Sequence, residues 1–288
     1  MHVRYRLIAA IMALAPTFTI AQSPVAIGIV REDGVLIPVI SILGDKHQPL
    51  LEEDAVFART AEALPTSWEF WRIGGRRPIT ITTTARRMVE SHCSEQEVWT
   101  TTLKTAATRE GASIDKIGVA TQGRVTVEHP EQVSSQTQQS SRLASTLIVS
   151  TTNSSEARFV RDNPDDQAAA IPATVRARTT VRIEKLMRRQ TRGGAIFYFE
   201  ATKSYGEFVG TRTTGWVRLS ANGNSTFGEE TSPLSGEAGT VTHQVLGVVR
   251  DGSSELWVLQ RNGYESESYV VYQWPKGLQL VDLFGGGC

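Results

Sequence analysis

The chain has 288 residues, with 30 Lys and Arg against 30 Asp and Glu, 40% hydrophobic residues and two cysteines. That balance excludes a disordered tail and a multi-span helical membrane protein. A formal charge of zero argues against a general nucleic-acid binder, which needs a basic excess to neutralise phosphates. Two cysteines are too few for a disulfide-dense scaffold or a four-cysteine zinc site.

Arg4 and Arg6 precede an uninterrupted apolar run from Leu7 to Leu14, and Pro16 breaks it. Thr19 and Ala21 supply the small residues of a cleavage site before Gln22. This three-part pattern predicts a cleaved signal peptide over 1–21 and a secreted or periplasmic mature chain. The run is shorter than the ~20 apolar residues of a spanning helix, and no later run is long enough, so no transmembrane segment is expected. In an oxidising compartment Cys93 and Cys288 are expected to pair as a disulfide. Gly285, Gly286 and Gly287 would let the C-terminus bend into that geometry.

The mature chain reads mostly as strands. Val25 to Val30 and Val35 to Leu43 are apolar and flank an Asp33-Gly34 turn, with Pro38 suggesting an edge position for the second. Leu50 to Leu64 is a helix candidate with an acidic first turn, stopped by Pro65. Trp68 to Ile73, Ile79 to Thr84, Val98 to Leu103 and Arg124 to Glu128 have strand composition. Ser134 to Ser155 is rich in Ser, Thr, Gln and Asn and reads as polar loop, a strand over Leu143 to Val149, and polar loop again. Pro164 to Ala170 suits one or two helical turns, and Thr174 to Met187 reads as a strand with its charges on one face.

Gly193-Gly194 leads into the aromatic strand Ala195 to Ala201, and Gly215 to Ala221 ends at Asn222-Gly223. From Val241 onward four antiparallel strands form a meander, with Asn262-Gly263 as its strongest hairpin signal. Leu256 to Leu259 is apolar on both faces, which predicts a central, doubly covered strand. The expected fold is mainly β: an antiparallel β-sandwich or paired β-lobes with one or two short helices, over lobes 22–133 and 134–288. The echo of Ile27 to Arg31 in Leu246 to Arg250 keeps a β-propeller as the alternative.

No Gly-x-Ser-x-Gly elbow, His-Glu-x-x-His helix or P-loop is present. His47, His92, His129 and His243 lack metal-ligand spacing, and no metal or cofactor is expected. His92 beside Cys93 is geometrically poor, because neighbours on a strand point to opposite faces. Ser113 to Lys116 fits a Ser-x-x-Lys pattern without its companion motifs.

Two surface features remain. Arg176, Arg178, Arg182, Lys185, Arg188, Arg189 and Arg192 are candidates for binding an anionic partner; the plainer reading is a solvated strand face. Trp68, Phe70, Trp71, Tyr264, Tyr269, Tyr272 and Trp274 suit a β core, or stacking on a sugar or protein partner.

The expected function is a non-enzymatic binding or assembly module of the cell envelope or extracellular space. Its partner would be an envelope or extracellular protein or a glycan, not nucleic acid. The rival is a secreted hydrolase acting on polysaccharide or peptide through carboxylates that the sequence does not identify. Two outcomes test the export reading. N-terminal sequencing of the mature protein should begin at Gln22, and non-reducing peptide mapping should recover a Cys93–Cys288 peptide. A start at Met1 together with two alkylated thiols would overturn it.

Overall fold

The structure, a computed structural model, describes residues 25–43, 46–49, 67–91, 98–107, 116–135, 139–206, 209–234, 241–251, 254–263, 266–274 and 278–287. The expected signal peptide, the helix over Leu50 to Leu64, His92, Cys93, Ser113 and Cys288 lie outside these residues. The fold is mainly β, in three antiparallel sheets.

The first sheet holds β1 (Val25–Val30), β2 (Val35–Leu43), β3 (Lys46–Pro49), β4 (Ser67–Arg72), β5 (Ile79–Ser91), β6 (Val98–Ala107) and β7 (Gly118–Gln122). Its order is β1-β7-β4-β5-β6-β2-β3, and β1 also pairs with β2, so six strands close into a ring. Ala26, Val30, Leu36, Trp68, Phe70, Ile81 and Ala120 fill its interior. Alternation along β1 sends Ala26 and Val30 inward and Val25, Ile27 and Ile29 outward against the next sheet. That is why all six β1 residues are buried. Gly118 starts β7 where β4 passes closest: a Cβ there would stand 2.3 Å from the Trp71 carbonyl oxygen.

Pro38 does not mark an edge. β2 pairs with β1 on one side and, on the other, with β6 at Val35–Leu36 and with β3 from Ile40. Pro38 faces Gly28 beside the bulge at Val39, which has no β1 partner, and on the other side of β2 it falls between those two partial partners, a setting that tolerates proline away from an edge.

The central sheet joins β8 (Thr126–Glu128) to β14 (Thr242–Asp251), β15 (Ser254–Gly263), β16 (Ser266–Trp274) and β17 (Leu278–Gly287), in the order β17-β16-β15-β14-β8. The last four strands are the expected meander. Leu256 and Val258 of β15 face the barrel, and Trp257 and Leu259 face the opposite way, so this strand is covered on both faces as expected. The outer sheet joins β9 (Glu131–Gln132) to β10 (Arg182–Thr191), β11 (Gly194–Ser204), β12 (Gly210–Ser220) and β13 (Gly223–Pro233), in the order β13-β12-β11-β10-β9. His129 and Pro130 carry the chain from one sheet to the other. The echoing strands β1 and β14 meet in one core as facing layers.

Helix α1 (Gln139–Asp162) covers the far face of the outer sheet, and α2 (Ala173–Arg178) follows it. The loop–strand–loop reading of Ser134 to Ser155 is therefore corrected: from Gln139 onward this stretch is helix. Its buried face, Ser141, Ala144, Ile148, Thr152, Ser155, Glu156 and Val160, is helical in spacing but largely small and polar. Hydroxyls that normally disfavour a helix bond back along it: Ser145 to the Ser141 carbonyl at 2.7 Å, Thr146 to Arg142 at 3.1 Å, and Ser154 to Ser150 at 3.0 Å. The strand expected over Thr174 to Met187 is also corrected: its start is α2, and β10 begins only at Arg182. Over Pro164 to Ala170 the chain makes successive turns.

A buried ion pair seats α1 on the outer sheet. Lys203 and Glu156 are almost wholly buried, 2.6 Å apart. Glu156 also accepts from Thr211 at 3.0 Å and from the Tyr205 hydroxyl, while Lys203 donates to Asn153 at 3.0 Å and to the Arg176 carbonyl at 2.6 Å. Burial and the bond to Glu156 push the Tyr205 phenol well up from its ordinary value. Removing one partner leaves the other charge buried and unpaired, so Lys203→Met is expected to cost roughly 3–5 kcal/mol. Replacing both, as Lys203→Met with Glu156→Leu, should cost clearly less. Urea denaturation of the three proteins checks this; equal losses would contradict it.

Candidate functional site

Register places two hairpins side by side at one end of the outer sheet. Thr191 pairs with Gly194 around the turn Arg192-Gly193, and Ser220 pairs with Gly223 around Ala221-Asn222. Gly194 is also the partner of Ser220, so both turns lie at the same end. Gly194 has φ 145°, and a Cβ there would meet the Leu219 carbonyl oxygen at 1.9 Å, so no other residue fits. Its carbonyl accepts from Gln190 at 2.9 Å and Thr191 at 3.1 Å, and Ser220 donates to the Gly223 carbonyl at 2.7 Å. These bonds hold the tip in one shape.

A cavity lies on each face of this tip. Toward α1 a groove of about 630 Å³ is lined by Gln139, Ser140, Leu143, Arg188, Gln190, Leu219 and Asn224, among others. Toward the central sheet a cleft of about 320 Å³ is lined by Thr191, Ile196, Arg218, Leu219, Ser220, Glu255 and Trp274, among others. Leu219 and Ser220 border both. Trp274 is half-buried, and Phe227 packs behind it with ring centroids 4.2 Å apart. The aromatic series continues inward from Phe227 to Trp216 at 5.9 Å and from Trp216 to Tyr198 at 5.4 Å. The exposed Arg218 lies over the Trp274 ring at 5.9 Å.

The carboxylates near this end are matched to arginines. Arg189, only 5% exposed, donates to Glu128 at 2.8 Å and to Glu255 at 2.5 Å. Arg250 stands 3.2 Å from Glu128 and 3.7 Å from the other Glu255 oxygen. Arg188 donates to Glu131 at 2.6 Å.

The structure splits the basic run expected to form one strip. Arg176 belongs to α2 and donates to the carbonyls of Ala168, at 3.3 Å, and Ile171. Arg178 is exposed on α2, and Arg182 pairs with Glu184 at 3.2 Å. Lys185 pairs with Glu200 at 2.7 Å, at the far end of the sandwich from the hairpin tip. Arg188, Arg189 and Arg192 come together at the tip, the last exposed in its turn. Of the aromatic set, Trp68 and Phe70 fill the barrel and Tyr269, on β16, is buried in the core between the barrel and the central sheet. Trp71 bonds Thr121 at 3.1 Å, Tyr272 is half-buried, and Tyr264 lies outside the described residues. Trp274 alone of the described set lines a cavity at the tip. The reading of the residues did not single out Arg218, Gln139, Gln190 or Asn224. The Gly193-Gly194 and Asn222-Gly223 turn signals pointed to the hairpins, but not to their adjacency.

Among the described residues no three His, Cys, Asp or Glu side chains gather as a metal site, and no helix is long and apolar enough to cross a membrane. Comparison with known proteins returns no match at the level of family, characterised sequence or solved structure.

The far end of the same sandwich is ionic. Glu200, almost wholly buried, faces Lys185 at 2.7 Å and Arg212 at 3.5 Å. His243 is buried beside them. Its Nε2 accepts from Arg261 at 3.4 Å, and Arg261 also pairs with Asp282 at 2.9 Å. Burial, then the charges of Arg261, Lys185 and Arg212, hold the His243 imidazole down at about 3. The unfolded chain therefore takes up this proton first as pH falls, and stability drops from about pH 6.5 down toward pH 3. Between about pH 6.5 and pH 5 the expected loss is on the order of 2 kcal/mol. Burial lowers His129 too, which acts in the same direction. Urea denaturation at the two pH values should show that loss in the native protein and a much smaller one in His243→Gln. An equal loss in both would remove His243 as the cause.

Proposed function

We propose that the chain is an exported, non-enzymatic binding module of the cell envelope or extracellular space, and that the hairpin tip of the outer sheet receives its ligand. The leader-like pattern over 1–21 supports export. One observation carries the site: two adjacent rigid hairpin ends stand between an amide- and hydroxyl-lined groove and an aromatic cleft. The larger cavity falls within the ~300–1,000 Å³ usual for ligand sites. Amide side chains offer donors and acceptors together, and Trp274 offers an apolar face, which suits recognition. Glu255 is the carboxylate lining the cleft, and each of its oxygens faces an arginine. That arrangement fixes charge and favours holding a ligand over moving a proton to it.

The test incubates the full chain with insoluble envelope or extracellular material from its host. Co-sedimentation without release of reducing ends or new amino termini is the expected outcome. Steady, catalytic release of either would replace this reading with the secreted hydrolase.

A further inference from the structure

We infer that the ligand of the hairpin tip is an acidic glycan, a sugar chain bearing carboxylate or sulfate groups; this rests on the binding-module reading. The first argument is charge. Arg188, Arg189 and Arg250 are matched to three carboxylates at this end. Arg192, in the turn, and Arg218, in the cleft, are both exposed. Among the described residues neither pairs with a carboxylate. Two exposed guanidiniums without a carboxylate partner thus stand at the end where these two cavities open. A guanidinium presents a planar fork that matches a carboxylate or sulfate with two parallel hydrogen bonds.

The second argument is shape. The Trp274 ring is partly buried, packs against Phe227 at 4.2 Å between centroids, and has the Arg218 guanidinium 5.9 Å from its centre. An aromatic face of this kind stacks on the apolar face of a sugar ring, while the neighbouring arginine takes the acidic substituent. The third argument is continuity. Leu219 and Ser220 border both cavities, so a ligand on Trp274 can run over the end of β12 into the groove. There Gln139, Gln190 and Asn224 carry amides, each able to donate to one hydroxyl and accept from the next. A single sugar would fill only one side; a chain of several uses both. An acidic peptide would satisfy the arginines, but its backbone makes less use of the aromatic face and the neutral groove.

The test is calorimetric titration of the full chain at low salt with oligogalacturonate, with the neutral oligosaccharide cellohexaose, and with poly-glutamate. The expected result is that oligogalacturonate binds, at least about tenfold more tightly than the other two, and weakens as salt rises. Arg192→Met with Arg218→Met should lower that affinity about tenfold or more, while Lys46→Met on the barrel leaves it unchanged. Trp274→Ala should also weaken it. Because Trp274 packs on Phe227, urea midpoints must accompany that variant; the arginine variants are exposed and serve as the decisive pair. Equal binding of the neutral oligosaccharide, unaffected by the arginine variants, would overturn the acidic reading and leave the binding module standing. Preference for poly-glutamate, or no glycan bound by a chain that still co-sediments with envelope material, would overturn the glycan. Progressive shortening of the oligogalacturonate would instead overturn the binding-module reading itself.

Discussion

Burial of both faces of two five-stranded sheets is the constraint on which the rest of this structure depends. A sheet with one wet face can alternate apolar and polar residues; a sheet covered twice cannot. β11 is buried at nine consecutive positions, with Phe197 and Phe199 toward α1 and Ile196 and Tyr198 toward the central sheet. β15 does the same between the outer sheet and the barrel. Each such side chain contributes about 1.5–3 kcal/mol only if a second layer covers it. The barrel and α1 are those covering layers, and the order barrel, central sheet, outer sheet, helix follows. The two-residue crossing at His129 and Pro130 ties the inner pair of layers through β8 and β9.

Layers packed this tightly must also dispose of polar groups, and the sandwich does so by position. The Lys203–Glu156 pair is satisfied under α1, and the Lys185–Glu200–Arg212 group closes one end of the sandwich. Arg189 and Arg250 with their two glutamates bridge the sheets near the other. Between these ends the core is aromatic. The Tyr198 hydroxyl and the Trp216 and Trp257 indole nitrogens have no hydrogen-bond partner. Their rings meet edge to face, Trp216 with Trp257 at 76° and with Tyr272 at 60°. Positive ring edges against negative ring faces recover part of what those donors forgo.

How much was legible depended on how apolar each element had to be. β1, β2, β11 and the C-terminal meander were readable because double burial writes long apolar runs, and Asp-Gly and Asn-Gly marked their turns. α1 was not, because its buried face uses Ser141, Thr152 and Ser155 in place of apolar residues, and the hydroxyl-rich sequence around them, where Ser145, Thr146 and Ser154 bond back to helix carbonyls, has the composition of a loop. β13 escaped notice for a related reason: an edge strand that leaves much of its length exposed needs no apolar alternation. The basic run was misread because spacing of two was carried back into α2, where the period is 3.6. Arg218 was missed because nothing in one strand reveals which turn or aromatic ring another strand brings beside it.

The same constraint explains why a ligand site would sit at the hairpin tip. Interior positions of a doubly covered sheet are committed to packing, so groups free to meet a ligand must lie where the layers end. At the ionic end, Lys185, Arg212 and Arg261 are committed to Glu200, Asp282 or backbone carbonyls. At the hairpin end, the aromatic series reaches the partly buried Trp274, whose ring already packs against Phe227. Such a ring is held before any ligand arrives, and its partner pays little ordering entropy on binding. Gly194 makes this possible in the backbone, since any side chain there would force the two hairpin ends apart and split the surface that Leu219 and Ser220 keep continuous.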